Sequence, residues 1–97
     1  MIIRIVRMHF TDAGVEEFLT IFNLYKKDIR NSEGCTHLEL LKDADEPNTY
    51  TTLSYWNGAA DLERYRKSEL FGTVWGQVKT LFRERTQAFT LEKFIEV

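Results

Sequence analysis

Few side chains in this sequence can move a proton near neutral pH. His9 and His37 are its only histidines. Imidazole is the one unperturbed side chain that titrates in that range, so both are candidate general bases. Arg7, two residues before His9, is a candidate partner for a developing anion, and equally for a salt bridge across a dimer. The single cysteine, Cys35, cannot close an internal disulfide and reads as a small buried residue. The histidines stand alone, with no cysteine pair beside them, so the spacing offers no metal-ligand set. A Gly-rich phosphate loop and a Gly-x-Ser-x-Gly elbow are both absent. The remaining chemistry-bearing groups are aromatic. Phe71 sits on an apolar helical stripe, as a core residue would, and Trp56 can seal a sheet–helix junction. Tyr65 and Trp75 carry polar tips that need a partner when buried.

Those residues must be positioned by a small body. The chain has 97 residues, room for one domain spanning 1–97. A chain this short gains from an oligomer interface. Hydrophobic residues make up 43% and charged residues 29%, an ordinary globular balance. A net charge of −2 argues against a phosphate-backbone binder, which would need a basic stripe. No apolar run is long enough to span a membrane. The opening Met1-Ile2-Ile3-Arg4-Ile5-Val6-Arg7 lacks the pattern of a signal peptide. Together with the lone cysteine, this leads us to expect a cytoplasmic protein.

Residues 2–10 are rich in Ile, Val, Met and Phe and read as a strand. Both of its faces carry apolar side chains, so both should be covered. Val15, Phe18, Leu19, Phe22, Tyr25 and Ile29 form one stripe on a helix over about 13–31, capped near Thr11-Asp12 and stopped by Gly34. Strands follow at 36–43 and 49–56, joined by a polar turn that holds the only proline, Pro47. Asn57 can cap a helix over 58–67, and Ser68 a second over 69–82. Residues 87–97 alternate as a last strand. The order β-α-β-β-α-α-β is α+β and ferredoxin-like: a four-stranded antiparallel sheet with helices on one face. Stacking two such sheets would hide the other face, so we expect a homodimer.

With these elements placed, the sequence resembles the antibiotic biosynthesis monooxygenase family, small proteins of the dimeric α+β barrel type. The residues that carry the resemblance are Ile3-Arg4-Ile5-Val6, Val15-Glu16-Glu17-Phe18, and Gly34-Cys35-x-His37-Leu38-Glu39-Leu40-Leu41. Tyr55-Trp56, Leu62-Glu63-x-Tyr65-Arg66-x-Ser68-Glu69-Leu70-Phe71 and Trp75 complete it. The family includes a haem-degrading branch, which carries an Asn on the first strand, a Trp after the third strand and an iron-ligating His on the next helix. In this sequence the register puts Trp75 at the His position and Tyr65 at the Trp position, and the first strand offers Val6 or Arg7. An indole does not ligate iron as imidazole does, so haem is not expected.

The resemblance then implies cofactor-free oxygenation, in which an electron-rich phenol, hydroquinone or anthrone supplies its own electrons to oxygen. Such a protein must bind a flat ring, help remove a proton and stabilise an anion. Tyr55, Trp56, Tyr65, Phe71 and Trp75 supply aromatic walls, with Arg7 for the anion and His9 or His37 as base. The pocket is expected between the sheet and residues 58–82. The alternative is a non-catalytic dimeric module that holds a small apolar or aromatic ligand. Strand parity puts Arg7 and His9 on one face with Ile3 and Ile5. Turned towards the helices, that face favours an enzyme; turned towards a partner, it favours a binder.

Overall fold

The computed structural model describes residues 1–97. β-Branched and aromatic runs become strands β1 (Ile2–His9), β2 (Cys35–Lys42), β3 (Thr49–Trp56) and β4 (Gln87–Glu92). The amphipathic stretches become helices α1 (Asp12–Arg30), α2 (Ala59–Arg66) and α3 (Glu69–Val78), the last running into a 3-10 turn at Lys79–Leu81. The sheet order is β2-β3-β1-β4, and every neighbouring pair is antiparallel. This is the ferredoxin-like order expected from the sequence.

Local chemistry sets the helix boundaries. Thr11 caps α1, its Oγ1 accepting from the Gly14 N–H at 3.0 Å. Ser68 Oγ accepts from the Phe71 N–H at 3.1 Å and donates to the Tyr65 carbonyl at 2.6 Å. One hydroxyl thus ends α2 and starts α3, and this fixes the break between them. Gly34 enters β2 with φ of 83°, and a Cβ there would come within 2.3 Å of Asp61. Only glycine allows both that backbone and the approach of α2.

Several boundaries differ from the sequence reading. Asn57 is not the cap of α2. Gly58 holds that position without a side-chain bond, while the Asn57 N–H is spent on the Gly34 carbonyl at 2.8 Å. β1 ends at His9, and Phe10 makes an isolated bridge to Phe82. The helix expected over 69–82 stops at Val78 before tightening into the 3-10 turn. β4 stops at Glu92, not at residue 97, because its partner runs out: Glu92 already faces Ile2, the first residue of β1. Alternation continues past that point with no strand to pair against.

All helices lie on one face of the sheet. There the core divides into two clusters. Met8, Phe10, Phe18, Ile21, Val78 and Leu81 pack between α1, α3 and the sheet. Ile2, Cys35, Trp56 and Leu62 pack under α2, with Tyr65 against them. The opposite face carries Ile3 beside Tyr55 and Leu91, and Ile5 beside Leu53 and Phe89. Phe89 is 52% exposed and Leu91 47%, so this apolar face has no cover within the chain.

Candidate functional site

Where the two core clusters fail to merge, a cavity of about 400 Å³ opens between the sheet and the α2–α3 segment. Its floor is the helix-facing side of the sheet, with Arg4, Val6 and Met8 from β1, Ser54 from β3 and Ala88 from β4. Its roof comes from Leu62, Tyr65, Arg66, Phe71, Val74 and Trp75. The break at Ser68 produces this space, since two short helices meeting there cannot keep one continuous ridge on the sheet.

Trp56, Tyr65, Phe71 and Trp75 all line the cavity and form a chain of ring contacts. Trp56 stacks on Tyr65 with centroids 5.0 Å apart. Tyr65 meets Phe71 edge-on at 5.3 Å. Phe71 and Trp75, one turn apart on α3, lie nearly parallel at 6.0 Å and 8°. Trp56 is 1% exposed, and its indole N–H donates to Ser54 Oγ at 3.0 Å, so it is both a core residue and a wall. Burial, with a smaller push from the neighbouring Cys35, raises the Tyr65 phenol to about 12. It therefore stays protonated at neutral pH and serves as a hydrogen-bonding group. Burial likewise raises the Cys35 thiol above its ordinary value.

Sequence reasoning passed over Arg4 in favour of Arg7. Period-two alternation settles the matter: Arg4 shares the helix-facing side with Val6 and Met8, and Arg7 points the other way. The Arg4 guanidinium donates to Thr90 Oγ1 at 2.7 Å and has no carboxylate partner. Burial, together with the positive charge of Arg66, holds Arg4 below its ordinary value. Arg4, Tyr65 and Arg66 are the only ionisable residues in the lining, and none of them is a carboxylate.

The other expected residues lie on the helix-free side. Tyr55 pairs with Ile3, and its ring lies 4.8 Å from that of His37. It is therefore not a wall of this cavity, because strand parity turns it away from its neighbour Trp56. His37 is half exposed, with Nε2 3.5 Å from Glu39. His9 is 5% exposed, roofed by the 43–48 turn and the 83–87 segment. Its Nδ1 lies 3.1 Å from Thr49 Oγ1 and 3.4 Å from Glu84, and its Nε2 lies 3.3 Å from Gln87 Oε1. Arg7 contacts Glu46 at 2.9 Å and Asp43 at 3.3 Å. Backbone N–H groups of Glu46 and Asp45, with Arg7 nearby, hold the Asp43 carboxyl below the usual range. Folding thus brings two carboxylates to a histidine that stands alone in sequence: ligand atoms of His9, Glu46 and Glu84 lie within 4.8 Å of one another. Arg7 and Arg83 already engage both oxygens of Glu46, so the group is an ion-pair network that ties the turn to the sheet.

A profile described as antibiotic biosynthesis monooxygenase matches residues 1–74. The crystal structure of an antibiotic biosynthesis monooxygenase superposes with a TM-score of 0.90 at 15% identity, covering 98% of this chain and 100% of that one. A conserved protein from Methanosarcina mazei Go1 gives 0.90 at 19% identity, covering 97% and 94%. A Mycobacterium tuberculosis protein gives 0.90 at 17%, covering 98% and 96%. At these identities the structural likeness carries the fold. No curated protein matches the chain.

Proposed function

Because the chain belongs to the antibiotic biosynthesis monooxygenase family, we propose that it is a cofactor-independent monooxygenase acting on an electron-rich aromatic small molecule in the cavity between sheet and α2–α3. The observation that carries this reading is the cavity itself: about 400 Å³, with Trp56, Tyr65, Phe71 and Trp75 along one side. A space of that size and character suits a flat ring system, held by offset stacking and oriented by few polar groups.

The chemistry asks little of the protein. A ring activated by a hydroxyl or an adjacent carbonyl loses a proton, and the carbanion or phenolate passes electrons to molecular oxygen. In the anthrone case a ring CH₂ becomes C=O. One oxygen atom enters the product, the other leaves as water, and the four electrons that reduce O₂ come from that carbon. Arg4 and Arg66 favour the anion by their charge. Tyr65, neutral at working pH, can donate a hydrogen bond to a substrate oxygen. In this reading Arg7, His9, His37 and Tyr55 have no part in the cavity of their own protomer. The second copy belongs to the proposal as well: a homodimer formed through the helix-free faces would cover Ile5, Leu53, Phe89 and Leu91.

One observation favours the alternative, a module that binds such a ligand without transforming it: the lining contains no imidazole and no carboxylate. Oxygen uptake separates the two. Purified protein offered hydroquinones and anthrones, without flavin or metal, should consume oxygen and lose rate when Trp75→Phe alters the wall. Saturable binding of the same compounds with uptake no faster than buffer would leave the binding module standing.

A further inference from the structure

We infer that the ligand of this cavity is a flat aromatic acid, its anionic group seated between Arg4 and Arg66 and a hydrogen-bonding oxygen reaching Thr86 at the other end. The inference rests on the reading that the cavity holds an aromatic molecule and names the polar groups that molecule must carry.

The first ground is an unbalanced charge. Two neighbouring arginines have carboxylates: Arg7 has Asp43 and Glu46, and Arg83 has Glu46 and Glu84. Arg4, on the helix-facing side, has only a threonine hydroxyl. Arg66 faces the same space and holds Glu63 loosely, at 3.8 Å. Two guanidiniums beside a mostly apolar cavity repel one another, and an anion between them relieves that repulsion. The lining contains no carboxylate to do so, so the negative charge has to arrive with the ligand. Planar guanidinium forks suit carboxylate and phosphate oxygens alike.

The second ground is independent of charge. Thr86 Oγ1 is buried without a hydrogen-bond partner, and Thr86 lines the same cavity. Buried hydroxyls are rarely left unpaired, so this one reserves a place for a ligand oxygen. It lies one residue beyond the Arg7–Gln87 pair of β1 and β4. Arg4 is therefore about four strand residues away, roughly 13 Å at the usual rise. The cavity has cations near one end, an orphan hydroxyl near the other and aromatic rings between them.

Matched probes test this in binding, without needing turnover. Calorimetry on the intact protein would compare 2-naphthoate, 2-naphthyl phosphate and the neutral, near-isosteric 2-naphthamide, with 6-hydroxy-2-naphthoate as the two-ended probe. We expect one anion to bind at least about tenfold tighter than the amide, the scale of a charge-assisted hydrogen bond. Which anion leads distinguishes a carboxylate from a phosphate. Arg4→Gln and Arg66→Gln should each erase the preference by weakening the anion far more than naphthamide, and Arg4→Lys should restore part of it. The 6-hydroxyl should add affinity that Thr86→Val removes. Should Arg4→Gln not fold, the wild-type comparison and Arg66→Gln still decide. Amide binding equal to that of both anions overturns the inference and leaves the aromatic cavity intact. Binding of none of the probes overturns the cavity reading and the inference together.

Discussion

Arg4 and Arg7 stand three residues apart on the same strand, and their surroundings are opposite. Arg7 faces the helix-free side and is met by Glu46 at 2.9 Å and Asp43 at 3.3 Å, both from the β2–β3 turn. Arg4 faces the helices and is met by no carboxylate at all. On the open face, charge is spent on holding a turn in place. On the covered face, charge is left unspent beside a cavity. A cation fully satisfied by its own chain is structural, whereas an unsatisfied one beside an apolar space is available to a ligand.

The largest effect should come from the open face. If its apolar centre is where two copies meet, Phe89→Glu places an unpaired charge in a desolvated interface, at a cost on the order of 3 kcal/mol. Sedimentation should then show self-association weakened about a hundredfold or more, with naphthamide affinity retained. Equal sedimentation of wild type and variant would remove the dimer from that face. Lost ligand binding in a folded variant would show that the two faces are not independent.

A smaller effect concerns Tyr65 on the covered face. Its folded value, about 12, lies above the ordinary 10.0. A raised acid stabilises the fold in its neutral form. That contribution is present in full below pH 10 and is lost as pH climbs through about 12. Unfolding midpoints measured from neutral to alkaline pH should fall more steeply for wild type than for Tyr65→Phe, and matching slopes would mean that the phenol is not buried as described.

The smallest effect tests the open-face network. Glu46→Gln removes the shared partner of Arg7 and Arg83. These side chains are about a third exposed, so screening limits the loss to about 0.5–1 kcal/mol in urea unfolding. Ligand affinity should not change. A loss of affinity in this variant, with the fold intact, would mean that the network does more than anchor a turn.

The aromatic wall was legible in sequence because Phe71 and Trp75 are four apart and Ser68 marks the break before them, and helical spacing converts such a pattern directly into a shared face. Tyr55 was grouped with Trp56 because they are neighbours in sequence, yet a strand sends neighbours to opposite sides. The same alternation separated Arg4 from Arg7, but parity says only which residues share a face. Which face receives the helices depends on contacts between distant segments, here Met8 and Phe10 against Phe18 and Val78. The carboxylates around His9 were equally invisible, since Glu46 and Glu84 reach it from separate loops.

By itself, the sequence determined the element order, the ferredoxin-like class, the break at Ser68 and the set of rings able to face inward. These follow from local periodicity and capping, which act over a few residues. Tertiary structure alone decided that Arg4 rather than Arg7 meets the cavity, that Thr86 has no partner, and that β4 ends where β1 begins. Those outcomes depend on which surfaces of a folded chain come together, and neither burial nor pairing has a value until they do.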